Sequence, residues 1–136
     1  MRAMPRPSVT IHRRVQWFDT DSSTKEHNSA PLRWMEEAEA ELLDRLGIVK
    51  QVYGRLPRAH VSLDYRTPVR FWDEVDVTVR VDEVGRTSVK YTFEIRRGRD
   101  VAAEGRVVAV YITDQGQPRP WPDEYRRLLE GSEASS

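Results

Sequence analysis

Ala30-Pro31-Leu32-Arg33-Trp34-Met35-Glu36-Glu37-Ala38-Glu39-Ala40-Glu41-Leu42-Leu43-Asp44-Arg45-Leu46-Gly47 carries a helical hydrophobic period through its whole length. At 100° per residue Leu32, Met35, Ala38, Leu42 and Leu46 fall on one side, and Arg33, Glu37, Ala40, Glu41 and Asp44 on the other. One stripe is therefore expected to be buried. Asn28 and Ser29 are both N-cap types, Pro31 stands in the first turn where its missing N–H costs nothing, and Gly47 supplies a stop. About seventeen residues make a rod of about 25 Å, close to the roughly 30 Å span of the longer strands expected below. A sheet can wrap such a helix end to end.

Working outward, the rest of the chain reads mostly as strands. Val9, Ile11, Val15 and Trp17 alternate with polar residues, with Arg13 interrupting the apolar face. Residues 18–29, containing Asp19-Thr20-Asp21-Ser22-Ser23-Thr24, hold no aliphatic side chain until Ala30 and read as a loop. After the helix, 48–56 is a connector with room for an extra helical turn. Val61, Leu63 and Tyr65, then Val75, Val77, Val79 and Val81, then Val89, Tyr91, Phe93 and Ile95 each alternate with polar residues, as half-buried strands do; Gly85 marks a hairpin between the last two. Residues 101–113 include Val107-Val108-Ala109-Val110-Tyr111-Ile112 without alternation and are expected to form a central strand covered on both faces. Residues 122–129 read as a short helix. One helix segregated from five antiparallel strands is an α+β architecture.

Length and composition narrow the function. At 136 residues this is one domain, 1–136, with 1–7 and 131–136 expected to fray. The 22 basic and 22 acidic residues balance and form no long like-charge run, which argues against nucleic acid and against a polybasic membrane tether. No cysteine is present, so thiolate chemistry and disulfides are excluded. No apolar run suits a membrane span, and a cytoplasmic location is expected. His12, His27 and His60 are dispersed without metal-ligand spacing, so no metal is expected. No Gly-x-Ser-x-Gly or phosphate loop occurs.

The polar loop offers two readings. An Asp ahead of a helix is commonly a turn former or cap. Asp21 also lies seven residues before Asn28, where unpaired N–H groups of a helix N-terminus can hold a developing oxyanion. A carboxylate there can attack a thioester carbonyl or align a water to do so. Glu39, within the buried stripe, likewise has two readings: a second acid or base, or a carboxylate answered by an inward arginine such as Arg13.

Val15-Gln16-Trp17-Phe18-Asp19-Thr20-Asp21, Leu32-Arg33-Trp34-Met35-Glu36, Asp64-Tyr65-Arg66-Thr67-Pro68-Val69 and Gly85-Arg86-Thr87-Ser88 together resemble the hotdog-fold acyl-CoA thioesterases of the 4-hydroxybenzoyl-CoA thioesterase type, over nearly the whole chain. The resemblance implies a long central helix wrapped by a five-stranded antiparallel sheet, in a homodimer or dimer of dimers with active sites at the dimer interface. It implies Asp21, the second acid of Asp-x-Asp, as the catalytic Asp (nucleophile or general base), thirteen residues before Trp34 as the family spacing requires, and Asn28 as the residue whose backbone N–H faces the thioester carbonyl. Arg86, Thr87 and Ser88 match a segment that contacts the nucleotide end of coenzyme A, commonly across the dimer. Glu36 matches an acidic position read as support for the loop. The family's Gly three residues after the catalytic Asp is Thr24 here, followed by Lys25 and Glu26, which changes the loop at the acyl entrance.

Site expectations are therefore Asp21, Asn28 and Glu39 for catalysis, and His27, Trp34, Arg86, Thr87 and Ser88 for substrate. His27 is read either as a lining of the acyl pocket or as a polar filler of the helix entrance, and Trp34 also fits the core or an interface. The expected reaction is acyl-CoA hydrolysis with no cofactor beyond the coenzyme A of the substrate. Two alternatives remain: release of an acyl group from acyl carrier protein, and a non-catalytic acyl-CoA-binding subunit.

Overall fold

A computed structural model describes residues 6–21, 25 and 27–131; Thr24, Glu26 and the extreme ends expected to fray lie outside them. The elements run β1 (Ser8–Arg14), a single 3-10 turn (Trp17–Asp19), α1 (Ala30–Arg45), α2 (Val49–Val52), β2 (Arg58–Tyr65), β3 (Glu74–Val84), β4 (Ser88–Arg97), β5 (Asp100–Val110) and α3 (Asp123–Glu130). The five strands form one antiparallel sheet in the order β1-β3-β4-β5-β2. Period-two patterning sets its register: Val77 opposes Ile95, Val79 opposes Phe93 and Val81 opposes Tyr91, and all six are buried. Each such side chain stabilises the fold by roughly 1.5–3 kcal/mol when removed from water.

The helix packs on β1 and β3. Its buried stripe is Trp34, Met35, Ala38, Glu39, Leu42 and Leu43, while Leu32 and Leu46 are only partly covered. The stripe is rotated from the expected one because the sheet lies off to the Trp34–Leu43 side. Strand β1 stops at Arg14 rather than running on to Trp17: Val15 hydrogen-bonds across to Asp73 and Trp72, and Trp17, in the following turn, is 63% exposed.

Two strands depart further from expectation. β4 occupies the middle of the sheet; β5 is the neighbour between β4 and β2, and its outward Val108 and Val110 are half-buried, so its outer face is incompletely covered. β2, expected half-buried, is mostly exposed, with Val61 at 41% and Tyr65 at 51%. It is an edge strand: β5 satisfies one side and no described strand lies along the other. Pro7 and Gly131 are held in place, Pro7 by Val81 N–H and Gly131 as the left-handed cap of α3.

The topology gives the sheet two distinct ends. β1 and β2 finish, and β3 begins, at the end that carries the loop before α1. The β3–β4 turn at 85–87 lies at the opposite end.

Candidate active site

The loop before α1 is built on Asp19. Its carboxylate is 3% exposed, accepts the Gln16 N–H at 2.8 Å and pairs with Arg33 of α1 at 2.8 Å. Its carbonyl accepts the His27 N–H at 2.6 Å. Two residues on, the Asp21 N–H donates to the Lys25 carbonyl at 2.9 Å. These two rungs, 19 to 27 and 21 to 25, fold the loop back on itself, with Asp21 exposed on the rung next beyond the one that meets the helix entrance. Lys25 also bridges to Arg70, which ties the loop to the segment before β3. The two acids of Asp-x-Asp thus divide their tasks: Asp19 is the buried brace and Asp21 is presented outward.

The helix begins without a side-chain cap. Ser29 takes the N-cap position in αR geometry, and its hydroxyl lies 2.9 Å from His27 Nδ1 instead of over the first turn. The Ser29 N–H donates to the same His27 nitrogen at 3.1 Å. His27 is therefore an exposed brace of the helix entrance. The Asn28 carbonyl accepts the Tyr65 hydroxyl from the end of β2, while the His27 carbonyl takes the Ala30 N–H at 2.9 Å. The Asn28 N–H has no acceptor among the described residues. An amide at a helix N-terminus without an acceptor among the described residues, between carbonyls that are both engaged, is suited to receive an anionic oxygen.

Beside it a cavity of about 250 Å³ opens between α1 and the β2 edge, lined chiefly by Ser29, Leu32, Met35, Glu36, Val61 and Val107. Arg58 forms its polar wall. This guanidinium holds Glu39, which is fully buried, at 2.5 and 3.0 Å, and reaches Glu36 at 3.5 Å. Burial pulls the Arg58 guanidinium down, but its hydrogen bonds and charge interaction with Glu39 outweigh that and leave it above its ordinary value. The Tyr53 phenol is pushed up to about 12, first by burial and then by Glu39 and Glu36. Burial and then Glu39 hold the Tyr91 phenol well above its usual range.

The structure therefore answers Glu39 with Arg58. Arg13, the expected partner, is taken by Glu37 at 2.7 Å on the helix's outer side. Both carboxylate oxygens of Glu39 are occupied, which places it as an ion-pair member rather than a free acid or base. Trp34, expected near substrate, is 3% exposed and belongs to the core. Among the described residues Glu36 pairs with Arg58 and not with the loop; it faces the cavity, and its backbone carbonyl accepts the Tyr53 hydroxyl at 3.2 Å. Arg33 supports the loop in its place. Arg86, Thr87 and Ser88 lie in and beside the β3–β4 turn, at the other end of the sheet from Asp21 in the same chain. β4 alone spans about 30 Å between those ends. Sequence reasoning missed Arg58 and the pinning by Tyr65, since both act on α1 from β2 and no local spacing announces a contact across the fold.

The thioesterase-like superfamily matches residues 15–129. A 1,4-dihydroxy-2-naphthoyl-CoA hydrolase of a Synechococcus species is 26% identical, covering 93% of this chain and 92% of its own. Another, of Prochlorococcus marinus, is 33% identical over 68% of each chain. A thioesterase of Thermus thermophilus, solved with coenzyme A and Zn, superposes with a TM-score of 0.80 at 29% identity, covering 98% of this chain and all of its own. With its five-stranded antiparallel sheet and long helix, the chain belongs to the thioesterase-like superfamily and is a hotdog-fold thioesterase.

Proposed function

We propose that the protein hydrolyses an aromatic acyl-CoA thioester to the free acid and coenzyme A. The observation that carries this reading is the helix entrance: the Asn28 N–H has no acceptor among the described residues, the Asn28 carbonyl is held by Tyr65, and the next residue, Ser29, lines an apolar-walled cavity. The Asn28 amide receives the carbonyl oxygen as it becomes an oxyanion. As general base, Asp21 removes a proton from water; the hydroxide adds to the carbonyl carbon, the C–S bond breaks, and the thiolate leaves and is protonated. As nucleophile, Asp21 itself displaces the thiolate, and water hydrolyses the resulting anhydride. A single turnover in ¹⁸O-water separates the two, since only the anhydride route permits unlabelled first-turnover acid with label left in Asp21.

The aromatic acyl class follows the naphthoyl-CoA hydrolases to which the chain is similar and the Leu32, Met35, Val61 and Val107 walls. At about 250 Å³ the cavity falls below the roughly 300–1,000 Å³ of a complete small-molecule site, and it opens at the unpaired β2 edge. Pairing β2 with the β2 of a second copy about a two-fold axis closes it. Because that pairing is antiparallel, it also carries the partner's 85–87 turn to the end of the sheet that holds Asp21. The separation of Arg86, Thr87 and Ser88 from Asp21 in one chain is thus resolved across two.

Thiol release from aromatic, short and long acyl-CoAs tests the reading, and the cysteine-free chain contributes no background to a thiol reagent. Turnover of the aromatic class supports it. Failure of every acyl-CoA to turn over, with coenzyme A still bound, overturns it in favour of a binding subunit; turnover only of acyl-carrier-protein thioesters replaces the carrier.

A further inference from the structure

The β3–β4 turn has every carbonyl engaged on one side. Arg126 of α3 donates to Gly85 O at 2.7 Å and to Arg86 O at 3.3 Å. The Trp121 N–H donates to Arg86 O at 3.1 Å, the Tyr111 N–H to Thr87 O at 2.7 Å, and the Trp121 indole N–H to Ser88 O at 2.9 Å. In a trans peptide the N–H points opposite to the preceding C=O. Fixing Gly85 O and Arg86 O toward the C-terminal segment therefore turns the N–H groups of Arg86 and Thr87 away from it, and neither donates to another described residue. Arg86 itself is exposed and has no acidic partner among the described residues. Two successive outward amides beside a guanidinium without an acidic partner among the described residues are suited to a phosphate.

The clamp is itself rigid. Trp121 is 4% exposed and stacks on Tyr111 with ring centroids 4.6 Å apart and planes 10° from parallel. At Gly85 a Cβ would meet Ser88 Oγ at 2.4 Å, so a larger residue there obliges the Ser88 hydroxyl to turn away.

We propose that Trp121 and Arg126 are positioning residues for the nucleotide end of the substrate, presetting the Arg86–Thr87 amides toward its phosphates. The proposal rests on the assignment of that turn to coenzyme A. The α3 helix and its lead-in thereby act on affinity for the carrier, from outside the site that reacts.

Calorimetric titration with coenzyme A and with pantetheine, which lacks the nucleotide, tests this on the native protein, Trp121→Phe, Arg126→Met and Arg126→Lys. Trp121→Phe keeps an aromatic ring to stack and loses the indole donor. Arg126→Met should weaken coenzyme A about tenfold, the order of one lost hydrogen bond to a charged group, and leave pantetheine as it was; Arg126→Lys should recover part of the loss, and Trp121→Phe, which keeps the backbone donor to Arg86 O and loses only the bond to Ser88 O, should act in the same direction and less. With a turned-over acyl-CoA the same variants should raise KM with kcat steady. Equal loss for both ligands, unchanged coenzyme A affinity in Trp121→Phe and Arg126→Met, or indifference of coenzyme A to Arg86→Ala overturns the proposal. Nucleotide-dependent coenzyme A binding without hydrolysis of any thioester overturns the proposed reaction and leaves the positioning role standing.

Discussion

Asp19 and Asp21 are two residues apart and face opposite ways. Asp19 gives its carboxylate to Gln16 and Arg33 in a buried site, so Asp19→Ala strands two donors and should cost about 1–3 kcal/mol in urea unfolding; an unchanged midpoint would show that the brace is not required. Glu39 presents the opposite problem, a fully buried charge. Removing one member of its pair, as in Glu39→Gln or Arg58→Met, should cost about 3–5 kcal/mol because the other is left uncompensated, and Glu39→Leu with Arg58→Met should recover most of it. Additive losses in the double variant would contradict the pairing. At this scale the sequence was partly legible. The acid motif and the anomaly of Glu39 in an apolar stripe stood out, but Arg58 is nineteen residues downstream of Glu39, and which arginine turns inward depends on a register that alternation alone does not supply.

Among the elements, α1 and the β3–β4 hairpin were readable because their periods are long and uninterrupted, with Gly47 and Gly85 at the breaks. β2 misled. Val61, Leu63 and Tyr65 alternate as a buried face would, yet α1 packs against β1 and β3 and leaves β2 at the edge, where Val61 lines the open cavity instead of a closed core. The packing between β2 and β4 across β5 depends on Gly105, where an added Cβ would meet Ser62 O at 2.1 Å and Phe93 Cζ at 2.9 Å. Because one of those atoms is backbone, the neighbouring strand has to move. Gly105→Ala should lower stability by about 1–3 kcal/mol, measured by thermal or urea unfolding; a neutral result would mean that the strands yield without strain. The alternation around Gly105 gave no sign of this, because a missing side chain signals close approach only once its neighbours are known.

For the whole molecule, the proposed second copy accounts together for three features of the single chain: a β2 edge paired with no other described strand, a cavity open along that edge, and the turn proposed to hold coenzyme A at the far end of the sheet from Asp21. Sedimentation should give at least twice the 15.9 kDa of one chain, and an active monomer would contradict the shared site. The fold itself was legible from the order of strand, loop, helix and four strands. The edge that a second copy would cover was not, because exposure of an edge appears only when the strands have been placed. The most direct test of the account is kcat for the best acyl-CoA in Asp21→Asn against the native protein, with coenzyme A affinity and thermal unfolding measured on the same samples. Asp21 is exposed and Asp19 holds the loop, so kcat should fall by about 10²–10⁴-fold while affinity and unfolding stay as they were. A variant that turns over at the native rate would show that Asp21 does not perform the chemistry.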